Sequence, residues 1–209
     1  MSLWTSSVLS LLLLQIAPAQ EVKNGPVAID EVAAPSEEMP PRLILVKKDW
    51  NLKQAYADVF KILSQENPCS NFYRGPRAAT TVLNDFVLLV KAQPMLRQVT
   101  FQMAGTPRLL RDHATGASYR LFERTLVNTN GSFYQRRVEL MREYPSDIGS
   151  FTPGSRQARA LILLHELGHL IQNENGDWLI PDDGHNGPQS KANTLRVEQA
   201  CRAQLETLR

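Results

Sequence analysis

The sequence has few cysteines, little net charge and no long apolar run beyond its first twenty residues, and each scarcity excludes a class of protein. Its 23 Lys and Arg nearly balance 21 Asp and Glu, for a net charge of +2. The basic residues are scattered among acidic ones, which gives no indication of nucleic acid binding. No later stretch is long and apolar enough for a transmembrane helix. We therefore expect a single domain, at residues 42–209, that is large enough for a real core.

The first 41 residues have a different composition from the rest. Residues 1–20 carry no charged side chain, residues 8–16 are a short apolar run that is mostly leucine, and residues 17–19 form a small-x-small cleavage site. This is the form of a secretory signal peptide at 1–19, although Lys and Arg are missing before the apolar run. Residues 20–41, rich in Ala, Pro, Glu and Val, are typical of a flexible leader. We expect a secreted or periplasmic, that is extracytoplasmic, protein.

Only two cysteines are present, Cys69 and Cys201. In an oxidising compartment an even count favours one disulfide bond. Such a bond would close a loop of more than 100 residues, which is worth about 4–5 kcal/mol in the chain-entropy model. Two unpaired thiols are the alternative, which export disfavours. A cysteine-ligated metal is a weaker one, because the pair is far apart in sequence and lacks C-x-x-C spacing.

Hydrophobic periodicity predicts an α+β fold with four helices and a small antiparallel sheet. The strand pattern lies between residues 99 and 142, where residues 128–131, Asn-Thr-Asn-Gly, separate two alternating segments and predict a hairpin. The helices are predicted at residues 49–64, 77–92, 156–172 and 190–208, and the hairpin strands at 119–127 and 132–141.

The third predicted helix carries His165, Glu166 and His169 in an H-E-x-x-H motif. Ser155 is the expected N-cap, and residues 161–171 are apolar nearly all round, which implies a buried helix. Histidines four residues apart lie on one face of a helix. Buried polar groups of this kind need polar partners or a metal ion. The alternative is a pair of core histidines bonded to backbone, with the glutamate paired to an arginine.

This motif and its hydrophobic helix resemble those of the zincin metallopeptidases. In that family both histidines bind zinc and the glutamate is the general base, so the resemblance implies Zn²⁺ as cofactor, Glu166 as catalytic residue and a peptide or protein substrate. It also implies a small antiparallel sheet beside the motif helix, whose edge strand can pair with an extended substrate. The metzincin extension is not matched, because its glycine would fall on Gln172 and its third histidine on Asn175.

A catalytic zinc site takes a third protein ligand, and several residues after His169 are candidates. We favour Asp183, 14 residues further on, as in zincins whose third ligand is an aspartate on a downstream loop. Asp182 and His185, in the same loop, are close rivals. Glu198 is another, as in zincins with a glutamate on a following helix, but it is expected on the solvated side of that helix. The predicted apolar side of this last helix consists of Ala192, Leu195, Ala200 and Leu205.

The function expected is that of a secreted zinc-dependent metallopeptidase that hydrolyses peptide bonds. A metal-activated water would attack the scissile carbonyl while Glu166 acts as general base. The alternative is an exported metal-binding or interaction domain that has the zincin-like helix but no catalysis. Closed coordination by both Asp183 and His185 would favour that alternative. A purely structural helix in an envelope-associated scaffold is a third hypothesis.

Overall fold

The structure, a computed structural model, describes residues 49–95, 99–135, 148–184 and 187–208. The predicted signal peptide at 1–19 and leader at 20–41 lie outside these residues, as does the beginning of the domain predicted at 42–209. None of the described helices combines the length and the hydrophobicity that a membrane crossing needs.

Helices and short strands together confirm the predicted α+β class. The helices are α1 (Trp50–Leu63), α2 (Pro68–Phe72), α3 (Pro76–Val87), α4 (Arg156–Gly168) and α5 (Gly187–Leu205). The strands are β1 (Val90–Gln93), β2 (Phe101–Ala104), β3 (Arg108–Arg111), β4 (Ser118–Leu121) and β5 (Arg124–Asn128).

Helix α4 begins where the sequence predicts and ends earlier. The side chain of Ser155 accepts a hydrogen bond from the Ala158 amide at 3.1 Å, as an N-cap does. The helix ends at Gly168, and His169 is its C-cap. The predicted continuation to residue 172 is wrong, because the next residues pair with β4 instead. The Arg120 amide donates to Leu170 O at 2.8 Å, and the Gln172 amide donates to Ser118 O at 2.9 Å.

Two other helix boundaries also differ from the prediction. Helix α3 ends at Val87 rather than at residue 92, because residues 90–93 form β1 and pair in parallel with β5. Helix α5 begins at Gly187 and ends at Leu205, a shift of about one turn from the predicted 190–208.

The strands form two small sheets, and the predicted hairpin is wrong where the structure describes it. One sheet has the order β1-β5-β2, with β1 parallel and β2 antiparallel to β5, so it is mixed rather than antiparallel. The other sheet pairs β3 with β4 antiparallel. Residues 128–131 do turn, since the Gly131 amide donates to Asn128 O at 2.9 Å. However, Phe133 and Tyr134 continue the turn instead of starting a return strand, and residues 136–141 of that strand lie outside the described residues.

Helix α4 runs through the hydrophobic core, as its uninterrupted apolar surface predicts. Leu161, Leu163 and Leu164 are fully buried in a cluster that also includes side chains of α1, α3 and α5. The Tyr73 hydroxyl donates to Leu164 O at 2.6 Å inside this core. Burial raises the pKa of Tyr73 well above its usual value, so this hydroxyl keeps its proton and remains a donor.

The two cysteines lie together, as the sequence predicts. The sulfur atoms of Cys69 in α2 and Cys201 in α5 are at disulfide distance, 1.97 Å, and both residues are fully buried. None of the cysteines that the structure describes is free. The bond fixes α5 against α2 about one turn before the end of α5.

Replacing both cysteines by alanine, C69A/C201A, is expected to lower the free energy of unfolding by about 5 kcal/mol. The reason is that the bond spans 132 residues and restricts the unfolded chain. Denaturant unfolding of the oxidised wild type and of the double variant measures the difference. The reduced wild type is the control and should resemble the variant. Equal stability of the oxidised and reduced wild type would contradict a structural disulfide.

Candidate metal centre

His165 and His169 lie one turn apart on α4 and face each other. Their Nε2 atoms are 3.1 Å apart, and the side chains are only 7% and 8% exposed. This proximity follows from the i, i+4 spacing on a helix. Two imidazole lone pairs at this distance repel each other unless a proton or a cation lies between them. The motif thus creates a position on a buried helix at which a cation is favoured.

The loop after α4 brings Asp183 to the same position. Its Oδ2 atom is 2.9 Å from Nε2 of His165, and its Oδ1 atom is 3.7 Å from Nε2 of His169. The loop returns this closely because Ile180 packs against Gly168. A Cβ atom at Gly168 would lie 3.0 Å from two carbons of the Ile180 side chain, so glycine allows the approach.

The shortest separations between the candidate ligand groups are close to those found around a small metal ion. A tetrahedral ion with bonds of about 2.0–2.1 Å has ligand atoms about 3.3–3.4 Å apart. The two histidine Nε2 atoms are 3.1 Å apart, Asp183 Oδ2 is 2.9 Å from His165 Nε2, and the other carboxylate oxygen, Oδ1, is 3.7 Å from His169 Nε2, so these separations lie on both sides of that value. His165, His169 and Asp183 therefore form a group that could hold a metal ion, as favoured from the sequence.

The charges around the group also favour a cation. Burial by itself would raise the pKa of Asp183, but hydrogen bonds from His165 and His169 outweigh it and hold this pKa well below its usual range. For His169, burial acts to lower the pKa, yet the hydrogen bond with Asp183 and the nearby charges of Glu166 and Asp182 raise it overall. Each group thus stabilises the charged form of its neighbour, and a bound cation would take the place of the proton.

Glu166 follows His165 directly in the sequence and lies beside the group on α4. Its pKa is raised, above all by desolvation and further by the charge of Asp183, while the two histidines oppose the shift.

The alternative of core histidines bonded to backbone does not describe this site. The hydrogen bonds described for the two imidazole rings go to Asp183, to Thr194 and to each other.

Helix α5 orients His165 through Thr194, a residue that the sequence did not single out. Thr194 Oγ1 lies 3.0 Å from Nδ1 of His165 and 2.9 Å from Ser190 O. The hydroxyl proton goes to Ser190 O, because a carbonyl can only accept. His165 therefore donates its Nδ1–H to Thr194, so that displacement of the Nε2 proton would leave the Nε2 lone pair directed at the metal position. Metal-binding histidines are commonly oriented by such a hydrogen bond.

The neighbouring residue of α5, Asn193, orients the third ligand. Its Nδ2 atom donates to Asp183 Oδ1 at 2.5 Å and to Pro181 O at 2.8 Å, and its Oδ1 atom accepts from Gln189 Nε2 at 3.0 Å. Asn193 is 2% exposed, so these bonds also satisfy a buried amide. One helix thus fixes the side chain and the backbone of the ligand loop.

The sequence did not place Thr194 and Asn193 at the site, because it predicted the wrong buried face of α5. Ala192 and Leu195 were expected to face the core but are exposed, so the helix is rotated relative to the prediction. The buried residues of α5 are Asn193, Val197, Glu198, Cys201 and Leu205. A signal was available: counting back from Cys201 in steps of four gives Val197 and then Asn193.

Glu198, expected as a solvated carboxylate or a rival ligand, has a different environment from either. It is 4% exposed, so the prediction of a solvated side chain is wrong. Its carboxylate accepts from the Ser150 amide at 3.1 Å and from the Ser150 hydroxyl, and it pairs with Arg202 at 3.1 Å. It does not belong to the metal-binding group found among the described residues. It fastens the loop around Ser150 to α5.

Of the two other candidates for the third ligand, Asp182 lies among the described residues and His185 does not. Asp182 is outside the group; it forms an ion pair with Arg120, and its Oδ1 atom is 4.0 Å from Nδ1 of His169. His185 lies outside the described residues.

Comparison with known proteins found no match to this chain. No protein-family model matches the chain, and neither a curated protein nor a solved structure matches it. The chemistry of the centre therefore follows from its own atoms: three converging ligand atoms, a neighbouring carboxylate and the polar side chains of α5 that hold them.

Proposed function

We propose that this protein is an exported zinc-dependent peptidase with a zincin-like fold. The observation that carries the proposal is the convergence of His165, His169 and Asp183, whose ligand atoms all lie within 4.8 Å of one another, next to Glu166. Two imidazoles and one carboxylate are a ligand set of catalytic zinc sites. The disulfide-distance cysteine pair and the predicted signal peptide support export.

The exposure of the group favours catalysis over a structural role. Catalytic zinc has three protein ligands and an open position, whereas structural zinc has four protein ligands. The group among the described residues has three members, and His185, a further candidate, lies outside these residues. Asp183 is 21% exposed at its side chain, while the histidines behind it are nearly covered. The group is thus accessible from the side of the ligand loop.

The residues of the chain would divide the reaction as follows. Zinc bound to this group would supply Lewis acidity toward the scissile carbonyl and the attacking water. Glu166 would take the proton from that water and give it to the leaving amine. Its raised pKa suits the first step, since desolvation makes it a stronger proton acceptor than an ordinary glutamate. Thr194 and Asn193 would keep His165 and Asp183 in place throughout.

Glu166→Gln is expected to retain zinc and to lower peptide cleavage by about 10²–10⁴-fold, because the amide cannot accept the proton of the water. Metal content is measured by mass spectrometry of the purified protein, and cleavage by analysis of products from a mixed peptide library. Glu174→Gln is the matched control, since Glu174 is an exposed glutamate of the loop after α4. A metal-free wild type, or full activity in Glu166→Gln, would contradict the proposal. Zinc binding by a wild type that cleaves no peptide would favour the non-catalytic metal-binding domain.

Thr194→Val is expected to weaken zinc binding by about 10–100-fold with little change in the fold, because His165 loses the acceptor that fixes its tautomer and ring orientation. Competition with a chromophoric chelator measures the affinity. Thr207→Val is the control, since the Thr207 hydroxyl also donates to a backbone carbonyl of the preceding turn but is exposed. Unchanged affinity in Thr194→Val would show that Thr194 does not orient His165.

A further inference from the structure

We propose that Asp182 is the positioning residue of the second histidine: with zinc bound, its carboxylate accepts the Nδ1–H of His169, and Arg120 keeps the carboxylate beside the ring. The inference rests on the proposed metal centre and assigns it a further pair of residues. The two consecutive aspartates of the loop would then have separate tasks, with Asp183 on the metal and Asp182 behind a ligand.

The Nδ1 atoms of His169 and His165 differ in their hydrogen bonding. The Nδ1 atom of His169 is buried and has no hydrogen-bond partner among the described residues, whereas the same atom of His165 has Thr194. If Nε2 of His169 is to face a metal ion, Nδ1 must carry the proton. Metal-bound histidines almost always donate that proton to a carboxylate, a carbonyl or water. The unpaired Nδ1 atom therefore marks the place where an acceptor belongs.

Asp182 is placed to be that acceptor. Its Oδ1 atom lies 4.0 Å from Nδ1 of His169, about 1 Å beyond hydrogen-bond distance. The side chain of Asp182 is 65% exposed and pairs with Arg120, so closing the remaining distance takes a small movement of this ion pair toward the ring. Its position along the chain is fixed on both sides, by the bond from Asn193 to Pro181 O and by the contacts of Asp183 with the histidines.

Arg120 connects Asp182 and His169 through a single guanidinium group. Its Nε atom donates to His169 O at 2.9 Å, and its terminal nitrogens reach both carboxylate oxygens of Asp182. The guanidinium carbon lies 4.1 Å from the ring centroid of Trp178, and the Arg120 side chain is 11% exposed. Arg120 is therefore held by stacking and by the helix end, and it keeps the carboxylate beside the imidazole. An exposed ion pair without such anchoring contributes little to stability.

A structural role and a positioning role for Asp182 predict different measurements. If Asp182 only pairs with Arg120, its removal changes the stability of the metal-free protein and leaves zinc affinity unchanged. If it orients His169, its removal weakens zinc binding and leaves the metal-free protein nearly as stable as before. Zinc affinity and metal-free stability therefore separate the two roles.

The experiment compares wild type, Asp182→Ala, Asp182→Asn and Asp177→Ala, all as full-length proteins. Zinc affinity is measured by chelator competition, thermal unfolding is measured without metal, and NMR follows the imidazole Nδ1–H protons in the zinc-loaded protein. Asp182→Ala is expected to bind zinc about 10–100-fold more weakly, with a small change in metal-free unfolding. Asp182→Asn, which keeps an acceptor oxygen without the charge, is expected to lie in between. The slowly exchanging Nδ1–H signal of His169 should disappear in Asp182→Ala.

Asp177→Ala is the matched control, because Asp177 is another exposed aspartate of the segment that follows α4, and it should behave as wild type. Zinc affinity in Asp182→Ala within about twofold of wild type, or a loss matched by equal destabilisation of the metal-free protein, would overturn the inference. A wild type that binds zinc but cleaves no peptide would refute the peptidase proposal alone, and a graded affinity loss would still support Asp182. A wild type that binds no zinc would refute both.

Discussion

The closeness of three polar groups in an apolar interior is the constraint on which the rest of this structure depends. Two imidazole nitrogens on a helix with four buried leucines, from His165 and His169, lie within 4.8 Å of the carboxylate of Asp183 on the following loop. Such groups are costly to bury unless each is paired. Helix α5 supplies part of that pairing, because Thr194 bonds to His165 and Asn193 bonds to Asp183.

The disulfide matters to this centre because of where it fixes α5. Cys201 lies two turns after Asn193 on the same face, so a bond that points Cys201 toward α2 also sets which way Asn193 points. Val197, fully buried between them, packs the same face into the core. The close contact of Gly168 with Ile180 fixes the position of the ligand loop in a similar way. The ligands are thus set by packing at a distance and by local hydrogen bonds together.

The sequence predicts this centre better than the elements that surround it, for physical reasons. The spacing of His165 and His169 is local, and so is the Ser155 cap, so both are visible in a short window. The end of α4 is not local, since β4 competes for the backbone of residues 170–172. The parallel pairing of β1 with β5 joins segments more than thirty residues apart and leaves no signature in either one. The face of α5 depends on Asn193 and Glu198, polar residues that are buried only because specific partners receive them.

The two carboxylates nearest to the histidines have opposite properties, and this difference supports the division of roles in the proposed reaction. Burial raises the pKa of both Asp183 and Glu166, but only Asp183 receives hydrogen bonds from the imidazoles, and its pKa is lowered overall. Asp183 therefore stays ionised, as a metal ligand must be. Glu166 is near the same positive groups without such bonds from them, so desolvation dominates and it holds a proton more readily. Environments that separate the pKa values of neighbouring acids are typical of sites where one acid binds and the other transfers protons. In the proposed mechanism Glu166 is the acid that must both accept and release a proton, and it is the one whose pKa desolvation raises.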